Sequence, residues 1–98
     1  MKADGVTPEQ KVFILSVLKK HFPDAKIYFF GSRTRGDFKK YYDLDLCIDN
    51  TEPLDLVVLS EVKEVFSQSN LPYQVDISDW QRITPDFRDL ILANSVIW

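Results

Sequence analysis

Lys26-Ile27-Tyr28-Phe29-Phe30-Gly31-Ser32 and, after ten further residues, Asp43-Leu44-Asp45-Leu46-Cys47-Ile48-Asp49 are two β-type segments separated by a polar stretch. The first part is rich in β-formers and reads as a buried strand. Gly31-Ser32 stops it. The last part alternates. Leu44, Leu46 and Ile48 point one way, while Asp43, Asp45, Cys47 and Asp49 point the other. Residues 33–42 between them are polar and charged, so they form a loop or a short helix.

Upstream, Thr7-Pro8-Glu9-Gln10 reads as a helix start. Thr7 can cap, Pro8 suits the first helical position, and Gln10 can close a capping box. That helix runs to about His21, and Pro23-Asp24 ends it. Downstream, Asn50 to Asp55 is a turn region. A second helix follows to about Ser67, with Val58, Val62, Val65 and Phe66 near one face. Tyr73 to Ser78 reads as a third strand, with Val75 and Ile77 on one side and Gln74, Asp76 and Ser78 on the other. Thr84-Pro85 starts a last helix, and Val96-Ile97-Trp98 adds a short edge strand. The expectation is a single α/β (α+β) domain over residues 1–98: one mixed sheet of three to four strands with helices mainly on one face.

The totals agree with one small globular domain. The chain has 98 residues, 45% apolar and 28% charged. A net charge of −3 argues against DNA binding through the whole surface. The one cysteine, Cys47, rules out a disulfide framework within the chain and makes a cytoplasmic setting the default. No apolar run approaches the ~18 residues of a membrane span, and the polar lead-in does not read as a signal peptide.

The chemistry lies in the carboxylates. Asp43 and Asp45 are two apart on one strand, so they share a face with Cα atoms roughly 6.5 Å apart. If the strand of Asp76 lies beside theirs, three carboxylates meet on one surface and repel. A divalent cation relieves that repulsion, and magnesium favours a few carboxylates plus phosphate and water. Two such ions about 3.5–4 Å apart would activate an attacking oxygen and stabilise the leaving one. The glycine of Gly31-Ser32 lets backbone N–H groups approach a phosphate, and the serine hydroxyl can add a hydrogen bond. Arg33, Arg35, Lys39 and Lys40 against Asp37 make the following loop locally basic, as a metal–triphosphate requires. Arg33 and Arg35 are therefore candidates for nucleotide contact. His21, Asp49 and Asp79 read better as helix-end, strand-end and turn residues, and Cys47 as a packed side chain. Trp80 and Trp98 are anchors in the core or at an interface.

Gly31-Ser32, Asp43-Leu44-Asp45 after ten intervening residues, Arg35-Gly36 and Val75-Asp76 together resemble the minimal nucleotidyltransferases of the DNA polymerase β-like superfamily. The Pro85-Asp86-Phe87-Arg88 helix followed by Val96-Ile97 matches that pattern too. The resemblance implies a polymerase β-like nucleotidyltransferase fold. It implies that Asp43 and Asp45 are paired metal ligands and that Asp76 is the third carboxylate, serving as general base or aligning the acceptor hydroxyl. Gly31 and Ser32 would bind the β- and γ-phosphates. Many relatives have serine where Tyr42 stands, so the resemblance does not extend to a second serine hydroxyl on the phosphate side. The implied function is magnesium-dependent transfer of a nucleoside monophosphate, AMP from ATP, to a hydroxyl. At this size the acceptor belongs to a partner: a tyrosine of a helical HEPN toxin, for which this chain would be the antitoxin. The alternative is a nucleotide-binding, non-catalytic module that neutralises its partner by complex formation. No direct DNA binding and no membrane are expected, and homo- and hetero-oligomers are both open.

Overall fold

The computed structural model describes residues 4–36, 39 and 42–98. The elements run α1 (Pro8–His21), β1 (Lys26–Phe30), a 3-10 turn (Ser32–Arg35), β2 (Leu44–Asp49), α2 (Leu56–Ser67), β3 (Val75–Asp79), α3 (Pro85–Ala93) and β4 (Val96–Ile97). Helix α1 begins as its sequence dictates. Gln10 N–H donates to Thr7 Oγ1 at 3.1 Å, and Thr7 N–H donates to Gln10 Oε1 at 3.0 Å. Helix α2 is capped by Asp55, whose Oδ1 accepts from the N–H groups of Val57 and Val58. Thr84 caps α3, with Pro85 at its first position.

The four strands form one mixed sheet in the order β3-β2-β1-β4. Strand β1 is antiparallel to β2 and β4, and β2 is parallel to β3 with α2 as the crossover. The alternation of β2 divides the interior in two. Leu44, Leu46 and Ile48 join Ile27 and Phe29 of β1 under Ile14 and Leu18 of α1 and Leu59, Val62 and Phe66 of α2. On the opposite face, Tyr28 and Cys47 pack against Ile91 of α3, beside Trp80. Two helices thus cover one face. The third covers part of the other, with Ile91 on Tyr28 and Cys47 and Phe87 edge-on to Phe30.

Three boundaries differ from the sequence reading. Strand β2 starts at Leu44, one residue after Asp43. Strand β3 runs Val75–Asp79 because its ladder begins opposite Leu44, so Tyr73 lies before it. Asp79 is the buried last residue of that strand and opens the turn that follows it. Its Oδ2 accepts from Leu54 N–H at 2.9 Å and from Arg82 at 2.6 Å, and its Oδ1 accepts from Gln81 N–H at 3.0 Å. Both tryptophans act within the chain. Trp80 stacks on Tyr28, and Trp98 leans on Phe29.

Candidate active site

Strand register assembles the site. Phe30 of β1 stands opposite Asp45 of β2, and Asp45 stands opposite Asp76 of β3. The turn after Phe30, the Asp45 carboxylate and the Asp76 carboxylate therefore form a row across one end of the sheet. Asp43 lies one residue outside β2 and close enough to raise the pKa of Asp45 by charge repulsion. The aspartates named from sequence come together. Asp49 does not join them, since it pairs with Lys26 at the far end of the sheet.

The electrostatics of the row are unfavourable without a counter-charge. The Asp45 carboxyl is pushed up to about 6. Burial is the main cause, followed by the charges of Asp76 and Asp43 and a hydrogen bond with Asp76, and Arg33 opposes the shift only weakly. A half-buried carboxyl that keeps its proton up to about pH 6 marks a place where positive charge is missing.

The donor set suits a hard cation, because every candidate ligand atom is a carboxylate oxygen. Among the described residues, no three acidic, histidine or cysteine side chains already enclose one point. The carboxylates are thus a partial shell, of the kind that triphosphate oxygens and water complete around magnesium.

Gly31 adjoins this row. Its φ of 88° lies in the region that favours glycine, and a Cβ built there would run into Oδ2 of Asp45, with the carboxyl carbon only 3.0 Å away. The backbone of the turn and the carboxylate thus share a space that no side chain can occupy. Ser32, partly exposed, opens the 3-10 turn. Thr34 closes that turn by donating to Gly31 O from both its N–H, at 3.1 Å, and its hydroxyl, at 2.6 Å.

Arg33 is placed differently from the nucleotide contact expected of it. It is 1% exposed. Its Nε and Nη2 both donate to Tyr42 O, at 3.1 and 2.8 Å, and Nη1 donates to Asp4 O at 2.8 Å. The guanidinium lies 4.4 Å from the Tyr73 ring centre. Arg33 thereby ties the turn, the residue before Asp43 and the approach to β3 into one frame. A local sequence reading misses this because Tyr73 is forty residues away. Asp37, Lys40 and the side chain of Arg35 lie outside the described residues. The Tyr42 side chain is 40% exposed beside the aspartates.

On the other flank of the row, a cleft of about 710 Å³ opens on Asp43 and Asp76. Phe66 and Ser67 of α2 and Tyr73 and Val75 of the β3 side form its walls. Taken together, the site offers a backbone turn shaped for close approach, a partial oxygen shell for a cation, and an adjoining cleft.

Known proteins resemble this chain in sequence and in fold. A family model described as "Nucleotidyltransferase domain" matches residues 14–97. Members of that family generally use divalent metal ions. A protein of Haemophilus influenzae named "Probable protein adenylyltransferase MntA" is 42% identical over 86 residues, which span 88% of this chain and 75% of the relative. A solved toxin–antitoxin structure with AMP-PNP superposes with a TM-score of 0.77 at 22% identity, over 94% of this chain and 73% of that one. The tri-AMPylated Shewanella oneidensis HEPN toxin in complex with MNT antitoxin superposes with a TM-score of 0.69 at 21% identity, over 90% and 68% of the chains. With a family model spanning most of its length and a close relative in sequence, this chain belongs to the nucleotidyltransferase-domain family.

Proposed function

We propose that this chain transfers AMP from ATP to a hydroxyl on a helical HEPN-type partner, a tyrosine, and so acts as the partner's antitoxin. The observation that carries this is the row formed by the Gly31 turn, Asp45 and Asp76, flanked by Asp43. In this reading Gly31 and Ser32 hold the β- and γ-phosphates through backbone N–H groups and the serine hydroxyl. Asp43, Asp45 and Asp76 hold two magnesium ions, which supply charge for the triphosphate and for the departing pyrophosphate. Asp76, next to the cleft, aligns the acceptor hydroxyl and takes its proton. The acceptor oxygen bonds to the α-phosphorus, and the bond to pyrophosphate breaks on the opposite side. Arg33 holds the frame, and its buried guanidinium stays off the phosphates. Arg35 and Lys39 are left for the nucleotide's outer oxygens.

The partner enters this reading through the names of the relatives: a protein adenylyltransferase, and an MNT antitoxin with its AMPylated HEPN toxin. A cytoplasmic setting goes with that pairing, and no helix of the described residues is long and apolar enough to cross a membrane. The test is to combine this chain with the purified product of the adjacent gene, magnesium and α-labelled ATP. Label on a partner tyrosine is expected, and Asp43→Asn should abolish it. Undiminished labelling by Asp43→Asn would refute the reading.

A second reading, neutralisation by binding alone, has its own support. Leu56 and Val57 of α2 are 61% and 69% exposed, and Val96 and Ile97 of the edge strand are exposed as well. Full neutralisation by an Asp43→Asn/Asp45→Asn double variant would select it over transfer.

A further inference from the structure

We propose that the acceptor reaches this site on an extended polypeptide segment laid along the outer edge of β3, in the cleft between that edge and the C-terminal half of α2. The inference rests on the transfer reading above and specifies how its acceptor is bound.

The parts of the site follow one another across the sheet in strand order. The phosphate turn follows β1, the paired aspartates belong to β2 and its entry, and Asp76 belongs to β3. Displacement at phosphorus places the attacking and leaving oxygens roughly in line. With pyrophosphate held on the β1 side, the acceptor must arrive from beyond β3. The cleft that opens on Asp43 and Asp76 lies there.

The shape of that cleft agrees. It is lined by Tyr73, Gln74, Val75 and Asp76, so it opens at the start of β3, and its two strand residues belong to opposite faces: Val75 packs on the side of α2, and Asp76 stands in the aspartate row.

The backbone at this edge is open to pairing. Strand β3 is the outermost strand of the sheet. Leu44 N–H donates to Gln74 O at 2.8 Å, and Trp80 N–H donates to Ile48 O at 3.0 Å. Even-numbered residues therefore direct their main-chain groups at β2, so Val75 and Ile77 direct theirs outward. An open row of this kind is what an added strand pairs with, and side-chain pockets beside it supply the specificity. A small molecule would leave the row unmatched, whereas an extended peptide satisfies it and can reach a hydroxyl across to Asp76.

The experiment uses the full chain with the purified product of the adjacent gene. Two variants probe the cleft. Ser67→Trp fills it from α2 without touching the sheet. Val75→Pro removes one outward N–H from an edge position where proline is tolerated. In each we would measure MgATP affinity, the KM for the partner in AMP transfer, and folding by circular dichroism. Hydrogen exchange at the Val75 amide would be followed in the wild-type chain with and without partner. The expected result is MgATP affinity within about twofold of wild type, a KM for the partner raised about tenfold or more, and slowed Val75 exchange in the complex. If Ser67→Trp keeps a wild-type KM and the Val75 amide gains no protection, the edge-strand proposal is overturned while transfer stands. If the wild-type chain binds MgATP but labels no partner, transfer itself is wrong and the proposal falls with it.

Discussion

Replacing Asp45 with asparagine should make the metal-free protein more stable while destroying its function. The folded-state pKa of Asp45 lies at about 6 against an ordinary 3.8, so folding takes up a proton between those values. Stability from the protonated form is fully present below about pH 4 and is lost as pH rises through about 6. At pH 7.5 the wild type therefore carries the whole cost of an ionised Asp45 beside Asp43 and Asp76. A shift of about two pH units corresponds to ~3 kcal/mol. Asp45 is only half-buried, and solvent screening reduces this to about 1–2 kcal/mol. Asparagine is neutral at every pH, and its amide can donate to Asp76 as the protonated acid does. Urea and thermal melts in EDTA should show Asp45→Asn ahead of wild type by about 1–2 kcal/mol at pH 7.5, or roughly 5–10 °C in Tm. The difference should vanish near pH 4. Saturating MgATP should stabilise wild type and leave the variant unmoved. A variant less stable than wild type at pH 7.5, or a difference independent of pH, would mean that the ionised Asp45 carries no such cost.

Gly31→Ala combines a positive φ with a Cβ that meets the Asp45 carboxylate. We expect a loss of about 1–3 kcal/mol by urea melt and loss of MgATP binding by calorimetry, and wild-type binding would refute the close-approach role. Arg33→Met leaves the Tyr42 and Asp4 carbonyls without their donor and empties the space over Tyr73. It should cost about 2–4 kcal/mol by chemical denaturation, with Arg33→Lys recovering only part, because one ammonium cannot reproduce the guanidinium's fork. The Cys47 thiol is pushed up to about 12, chiefly by burial and then by Asp49 and Asp79. Iodoacetamide at pH 8 should leave it unmodified in the folded chain and alkylate it on addition of urea, as read by mass spectrometry.

Elements with local signals were legible in the sequence. The Thr7–Gln10 box, the prolines at the starts of α1 and α3, and the strict alternation of Leu44 to Ile48 each determine an element within a few residues of themselves. The paired aspartates followed from the same alternation. Asp76 was legible as a candidate, but its place beside Asp45 depends on a parallel register created by a crossover through α2, which no local pattern encodes. Arg33 was open for a related reason. Its position in a basic run fitted a phosphate, solvated or structural role alike, and only its partners, the Asp4 and Tyr42 carbonyls and the Tyr73 ring, reveal the structural one. Asp79 was legible as the start of a turn, because Gln81 and Arg82 are local partners, but its burial and its bond from Leu54 N–H depend on a segment that only the folded sheet brings close.

Asp79 also gives the molecule a mechanical polarity. At its end of the sheet one carboxylate clamps the segment leading into α2 to the exit of β3 and Arg82, so two passes of the chain are fastened at a single point. At the other end the acidic side chains repel one another. Tension that opens the sheet should therefore start at the aspartate row and travel toward the Asp79 clamp. A ligand that cross-links the row would fasten the loose end as well, turning a sheet pinned on one side into one pinned on both. Pulling experiments with and without MgATP would then differ in where unfolding begins as well as in the force required.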